Sequence, residues 1–322
     1  MVAPEHPNAP SSPDHGAPTS GAMPDRAALR DIPCPLCKSS RARTKIKERF
    51  GDLDRAFDYF SEDGGHYRIN ECLECGFVYS SPVFSEEAVQ KLYDAADASA
   101  CTSSTSDRAI LVNMLRYVRR LMRHSGISSG RLLDIGCGCG HLLRAAQRLG
   151  LRAEGIDPSL DASRAAAAQG FSVTHGNYAA DSFPENHFDL ITVIHVIDHV
   201  MDPLELLRDV RRHLRPGGAV LVATHNIESL LAKLSGDAFL AYNIQHITYY
   251  TPATLDRMIA ASGLKPVKRL RSLSTYSLAH LAQNGLRDPW RSRVSGLLSR
   301  CGLGNAQLTF PFGNIEAVAV KK

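Results

Sequence analysis

Four cysteines stand in two Cys-x-x-Cys pairs, Cys34 and Cys37 in CPLC and Cys72 and Cys75 in CLEC. Two such pairs supply the four thiolates of a closed tetrahedral zinc site. The 34 residues between the pairs exceed the ~15–20 of a compact site, so residues 38–71 are expected to form an inserted hairpin or loop. Redox use of a Cys-x-x-Cys would need a βαβ context that is lacking here. With every position filled, nothing stays open for catalysis. The expected role is architectural, or a share in a substrate-binding wall.

The second constellation is RLLDIGCGCGHLL, residues 131–143. Gly136, Gly138 and Gly140 remove side chains, so the backbone can bend sharply and approach a ligand. A dinucleotide loop is spaced G-x-G-x-x-G, whereas this one is G-x-G-x-G with His141 at the later position. Asp134 precedes the first glycine; a carboxylate there repels a pyrophosphate and suits a ligand bearing an ammonium group. Cys137 and Cys139 offer two thiolates with no third ligand nearby in sequence, too few for a closed metal site. They read as small side chains in a crowded turn. Asp157, in GIDPS, ends the next strand and suits ribose hydroxyls. An amino-acid group near Asp134 and a ribose at Asp157 together describe S-adenosylmethionine.

Acceptor chemistry points elsewhere. IHVIDHVMDP supplies His195, Asp198 and His199, and QHITYY supplies His246. An imidazole can take a proton from a hydroxyl near neutral pH. Asp198, His199 and His246 are therefore the catalytic candidates, with helix capping or simple burial as the alternative for each. His195 is expected to pack against the cofactor. Phe239, Tyr242, Tyr249 and Tyr250 either wall an acceptor pocket or belong to the core.

These residues need a frame. From residue 131 the rhythm is strand–helix alternation: strands at RLLDIG, LRAEGID, FSVTH, FDLITVIH and GAVLVATHN, and helices over 140–150, 159–169 and 202–214. Near-continuous apolar runs between turns mean strands buried on both faces, hence an α/β doubly wound, mostly parallel sheet of seven strands. Ligands of such sheets bind beyond the strands' carboxyl ends, where strand order reverses. Further helices are expected over 85–95, 227–235 and 252–262, and strands over 265–271 and at IEAVAVKK. Ile110, Leu111, Met114, Leu115, Val118, Leu121 and Met122 recur at helical spacing, leaving Arg116, Arg119, Arg120 and Arg123 on a face expected to be solvated. Residues 272–314 are too long for a plain hairpin loop and read as a lid or a surface insertion. Four segments follow: a disordered Pro-rich tail over 1–30, a zinc-ribbon module over 31–82, a helical linker or cap over 83–130, and the cofactor-binding domain over 131–322.

Composition narrows the function classes. With 322 residues, 44% apolar and 22% charged, the chain is of ordinary globular type. A net charge of +4, with signs interspersed, does not advertise nucleic-acid binding. No apolar run is long enough to cross a membrane and no export signal opens the chain, so a cytoplasmic location is expected. The cysteines suit a reducing compartment.

LLDIGCGCG, GIDPS, HGNYAADSFPENHFDLI, HVIDHVMDP and LRPGG, in that order over about 131–225, resemble the motif series of class I SAM-dependent methyltransferases. The resemblance implies that Asp134, Gly136, Cys137, Gly138 and Gly140 hold the methionine end. It gives Asp157 and Pro158 to the ribose side, Asn177 and Tyr178 to the adenine, and His195 to a cofactor contact. Asn177 stands where the family often has Asp. The two knuckles, SPVFSEEAVQKLYDA and the C-terminal NIQHITYYTPATLDRMIAASGL extend the likeness to a bacterial subgroup with an N-terminal zinc ribbon, over about 31–271. Some ubiquinone-pathway and RNA-end O-methyltransferases carry acidic–His pairs at the Asp198–His199 position that bind a divalent cation, with Glu where this chain has His195. The Pro-Pro-aromatic motif used on adenine-type amines is missing. The expectation is methyl transfer to an O or C atom of a small-molecule acceptor, such as a sugar or secondary-metabolite intermediate. S-adenosylmethionine is the expected cofactor, zinc is structural, and neither a nucleic acid nor a membrane is an expected partner. The sequence leaves the oligomeric state open. A ribbon that binds RNA or protein on a SAM-fold scaffold is the alternative, and a nicotinamide oxidoreductase is opposed by the loop spacing and Asp134.

Overall fold

A computed structural model describes residues 28–50, 65–95, 107–285, 290–311 and 313–322. The Pro-rich tail expected over 1–30 lies outside these up to residue 27. Short strands come first: β1 (Ala42–Ile46), β2 (Arg49–Phe50), β3 (Gly65–His66), β4 (Ile69–Cys72) and β5 (Val78–Ser80). Helices α1 (Glu86–Ala95) and α2 (Asp107–Ser125) follow. Then come β6 (Arg131–Ile135), α3 (His141–Arg148), β7 (Arg152–Asp157), α4 (Leu160–Ala168) and β8 (Ser172–His175). After them lie β9 (Phe188–Ile194), α5 (Pro203–His213), β10 (Leu214–His225), α6 (Leu230–Ser235), β11 (Thr248–Tyr249) and α7 (Pro252–Ala261). The chain ends with β12 (Lys265–Arg271), β13 (Ser274–Ser277), α8 (Leu278–Gly285), α9 (Trp290–Arg300), β14 (Gln307–Phe310) and β15 (Asn314–Val320).

Seven strands form the main sheet in the order β12-β15-β10-β9-β6-β7-β8. The pairs among β6 to β10 are parallel, and β15 runs antiparallel to both of its neighbours. Side chains alternate between two cores, as the two-residue period of a strand requires. Along β10, Val220 and Val222 enter the core that holds α5 and α7, while Ala219, Leu221 and Ala223 enter the one under α2 and α3. Burial on both faces is why these segments read as unbroken apolar runs. Strand order reverses between β6 and β9, so the loops after those two strands border the crevice.

Local chemistry sets the helix ends. The Asp202 carboxylate caps α5 by accepting from Glu205 N–H, with Pro203 opening the first turn. Thr251 and Thr254 close a reciprocal capping box on α7.

The cysteine-bearing strands form a second sheet, ordered β1-β4-β5-β11. Its fourth strand comes from the far end of the chain: Thr248 faces Tyr79 and Tyr249 faces Val78. Cys34, Cys72, Phe77 and Tyr79 share one apolar core with Leu204, Tyr250 and Met258. This sheet therefore completes itself, and buries its inner face, on the main domain.

On the arginine face of α2, Arg119 and Arg123 are exposed as expected, but Arg116 and Arg120 are not. Arg116 donates to Leu273 O at 2.7 Å and to Thr275 Oγ1 at 2.9 Å, and Arg120 pairs with the fully buried Glu316. No sequence signal foretold that the described part of the 272–314 insertion folds back here. Its strand β13, paired antiparallel to β14 across α8 and α9, lies along α2 with Ser274, Thr275 and Ser277 buried. Its carbonyls and Glu316 supply acceptors that no helix periodicity reveals.

Candidate active site

The glycine loop joins β6 to α3. Gly136, Gly138 and Gly140 all have left-handed φ, at 70°, 50° and 82°, a region that costs an L side chain free energy. Space is closed as well. A Cβ on Gly136 would collide with Cγ2 of Val196, and one on Gly140 would stand 2.7 Å from Cδ2 of Phe171. The loop after β6 thus presses on the loop after β9.

Asp157 ties the loop to β7. Its Oδ2 accepts from Gly138 N–H at 2.8 Å and its Oδ1 from Ser159 N–H at 2.9 Å. Each oxygen keeps a second lone pair, which a ribose hydroxyl could use. Asp134 is 3% exposed and accepts from Thr192 Oγ1 at 2.7 Å. Burial pushes its carboxyl up to about 8, against the Thr192 hydrogen bond, with nearby Asp157 adding repulsion. A cationic group beside it would restore the carboxylate.

Two residues assigned to the cofactor by resemblance have other work. The Cys137 side chain enters the core beneath α3 and fills the space beside Gly155, so only its main chain faces the loop. Tyr178 OH lies 2.6 Å from His213 Nδ1, and His213 Nε2 lies 3.0 Å from Ala180 O. A carbonyl only accepts, so Nε2 carries the proton and Tyr178 donates to Nδ1. Its ring meets those of His213 and Phe183. Asn177 donates from Nδ2 to Gln90 Oε1 at 3.1 Å, while Gln90 Nε2 donates to Pro158 O at 3.3 Å. Gln90, on α1, therefore bridges both sides of the expected adenosine end.

Beside Val196 the structure assembles five titratable groups. His195 follows β9 directly with φ 52°, and its ring centroid is 4.7 Å from that of His225, at the end of β10. His225 Nδ1 is 2.8 Å from Asp198 Oδ2. His246 Nδ1 donates to Ala241 O at 2.7 Å and turns Nε2 toward Asp198 Oδ2, 3.8 Å away. The His199 ring meets that of His246 edge-on at 4.6 Å. Burial alone would raise the Asp198 carboxyl, yet His246, His225 and His199 hold it well below the usual carboxylate range. Burial lowers His195 to about 4 and His246 to about 3, the latter against the attraction of Asp198. His199 is lowered by the same cause.

His195, Asp198, His199 and His246 were named from sequence, whereas His225 and Asn314 were not. A signal for His225 existed: it stands at the carboxyl end of a parallel strand, in VATHN, where such sheets bind their ligands. Nothing marked Asn314, which approaches His195 Nε2 at 3.4 Å only because β15 returns beside β10.

The aromatic residues are core, not wall. Phe239, Tyr249 and Tyr250 are at most 3% exposed. Tyr242 packs against Phe239 and Tyr249, and Tyr250 against Phe77.

At the cysteine site, Cys34 Sγ and Cys75 Sγ are 3.6 Å apart, Cys37 Sγ and Cys72 Sγ 3.5 Å, and all four lie within 4.8 Å of one another. A regular tetrahedron with Zn–S bonds of about 2.3 Å has edges of ~3.8 Å. The donor set fits. Each knuckle turns through a left-handed residue after its second cysteine, Lys38 at φ 60° and Gly76 at φ 70°.

A doubly wound sheet of this order, with a glycine loop at its first strand tip and carboxylates on the first two, defines the class I methyltransferase architecture. The chain belongs to the methyltransferase-domain family, whose model matches residues 108–269. It is 31% identical over 156 residues to the ubiquinone biosynthesis O-methyltransferase of Aeromonas salmonicida, across 44% of this chain and 66% of that protein. To its namesake from Parvibaculum lavamentivorans it is 30% identical over 194 residues, across 55% and 75%. The chain thus spans just under two thirds of the first relative's length. Among solved structures, a SAM-dependent methyltransferase from Thermotoga maritima overlaps 67% of this chain and 91% of its own, with a TM-score of 0.44 and 20% identity. No described helix is long and apolar enough to cross a membrane.

Proposed function

We propose that the protein moves the methyl group of S-adenosylmethionine to a hydroxyl oxygen of a small molecule, with Asp198 and His225 as the acceptor-side pair. The observation that carries this is their juxtaposition, Asp198 on the loop after β9 and His225 at the tip of β10. Asp198 Oδ2 lies 2.8 Å from His225 Nδ1, so the carboxylate takes the Nδ1–H and leaves Nε2 as a lone pair on a ring held in one orientation. His225 is the more accessible imidazole of the pair it makes with His246: its side chain is 29% exposed, against 7%. His199 and His246 then shape the field around Asp198. The relatives' names, ubiquinone biosynthesis O-methyltransferases, support oxygen over carbon as the acceptor.

Bound S-adenosylmethionine supplies an activated methyl group on sulfur, and the chain orients the acceptor and removes its proton. Asp134 would meet the amino-acid ammonium, Gly136, Gly138 and Gly140 would give the main chain close approach, and Asp157, Pro158 and Asn177 would line the nucleoside side. The four thiolates would hold a structural zinc ion. Incubation with methyl-labelled S-adenosylmethionine and a panel of phenols, catechols and sugars, read by mass spectrometry, tests the reading. Label on an acceptor oxygen that is lost in His225→Ala supports it; labelled carbon, or transfer undiminished in that variant, rejects it.

A second reading has a specific observation behind it. Asp198 Oδ1 and His195 Nδ1 are buried without a hydrogen-bond partner. His195, Asp198 and His225, or Asp198, His199 and His246, place donor atoms close enough for one divalent cation. An imidazole-rich set favours a transition metal over magnesium. Metal analysis of a Cys34→Ser, Cys37→Ser protein separates this site from the thiolates: metal retained there and lost on Asp198→Asn supports a cation.

A further inference from the structure

We infer that the four-cysteine ribbon is the positioning element of the Asp198–His225 pair, beyond its part in the core. The inference rests on the proposed role of that pair. A chain of main-chain hydrogen bonds leads from one to the other. Ser80, the last residue of ribbon strand β5, donates its N–H to Ile247 O at 2.7 Å. The N–H groups of Ile247 and Thr248 both donate to the carbonyl of Asp198, at 2.7 and 3.1 Å. The backbone of the buried carboxylate therefore hangs from the segment that the ribbon has added to its own sheet.

Side chains repeat the connection. Tyr249 OH donates to His246 O at 3.0 Å, and Ser80 Oγ approaches the same carbonyl at 3.3 Å. Thr248 Oγ1 donates to Ile197 O at 2.9 Å, one residue before Asp198. Both knuckles are clamped beside this segment. The Lys38 ammonium reaches the Asp202 carboxylate at 2.6 Å, and Asp202 caps α5 four residues beyond Asp198. Arg257 on α7 donates to Cys75 O at 2.6 Å.

Placement matters here because a base must meet its proton within hydrogen-bond reach, and a shift of ~1 Å can cost about a hundredfold in rate. Asp198 fixes the His225 ring only while its own backbone stays put. The thiolate cluster ties the first knuckle, which leads into β1, to the second, which joins β4 to β5, so its integrity transmits to Ser80, then Ile247, then Asp198. Among the described residues, no hydrogen bond of this path goes to the glycine loop.

The test uses the full chain with histidines labelled with nitrogen-15 and reads imidazole nitrogen shifts, with S-adenosylhomocysteine affinity measured by calorimetry. Cys37→Ser is expected to shift or broaden the His225 and His246 ring signals while affinity stays within about twofold; Ser80→Ala, which keeps the N–H to Ile247 O and removes only the Oγ contact with His246 O, should move the His246 signal alone. Arg120→Ala, which destabilises the opposite face of the sheet, is the control and should lower the melting temperature without moving those signals. Unmoved ring signals in Cys37→Ser overturn the inference. So does a parallel loss of affinity, or an equal movement in Arg120→Ala, because the effect would then not be confined to the acceptor side. Failure of the unaltered protein to bind S-adenosylhomocysteine counts against the proposed methyl transfer instead, and the ring signals still decide the positioning role.

Discussion

Asp134 is a carboxyl held mostly neutral by burial until a cation arrives. With its folded value raised to about 8, its contribution to stability is full below its unfolded value near ~4 and is lost as pH climbs from there to ~8. An ammonium ligand reverses the preference, so binding must release a proton. S-adenosylhomocysteine affinity should therefore rise by up to about tenfold per pH unit below ~8 and then level off. Calorimetry in buffers of different ionisation enthalpy would detect the released proton. Asp134→Asn should abolish that release and weaken binding by ~10–100-fold, the worth of one hydrogen bond to a charged group. At the acceptor side, Asp198→Asn takes away the acceptor that fixes the His225 ring. Transfer to whichever acceptor is found should fall by ~10²–10⁴-fold, the usual share of general acid–base catalysis, with cofactor affinity retained.

Among the elements, α2 carries a structural device that its sequence disguises. Its arginine stripe has the look of a solvated face, but Arg120 neutralises Glu316 on β15, which is fully buried. Removing one partner of such a pair leaves an uncompensated charge inside, at a cost of about 3–5 kcal/mol. Arg120→Ala should show this as a lower urea midpoint. Burial raises the Glu316 carboxyl, with Arg120 opposing the rise, so its stabilising contribution is present at low pH and lost as pH rises through the folded value. Without Arg120 the folded value rises further. The variant's deficit should therefore narrow on acidification, and a deficit that widens would contradict the assignment. The glycine loop is strained by design in the same sense: Gly136→Ala adds a Cβ at left-handed φ against Val196 and should abolish cofactor binding by moving the loops after β6 and β9 apart.

For the whole molecule, the shared core makes the thiolate site a global stabiliser. The protein should carry one tightly held zinc ion per chain, measurable by metal analysis, since four thiolates satisfy its tetrahedral demand. Cys72→Ser should remove it. The loss should propagate through β4 and β5 to β11 and to Tyr250 and Met258, because Cys72 and Phe77 lie in the same core. A fall of ~10 °C or more in melting temperature is expected, at about 2–4 °C per kcal/mol for a protein of this size. A ribbon that unfolded alone would give two separate transitions instead.

Sequence by itself determined what is local or periodic. Apolar runs flanked by turns specify parallel strands because a strand covered on both faces has no polar side to show, and β6, β7, β9 and β10 follow them closely. The Cys-x-x-Cys spacing specifies thiolate pairing because chelation is a matter of residue type and short-range geometry. The glycines at 136, 138 and 140 announce a tight loop because few other residues tolerate that backbone. Tertiary structure alone decided which distant side chains meet. His225 and Asp198 lie 27 residues apart and become partners only when β9 and β10 end side by side. The ribbon's fourth strand, the seat of Arg120 and the inward turn of Tyr249 and Tyr250 depend on long-range closure of the chain. Such closure is governed by the summed burial of many residues, and no short stretch of sequence carries that sum.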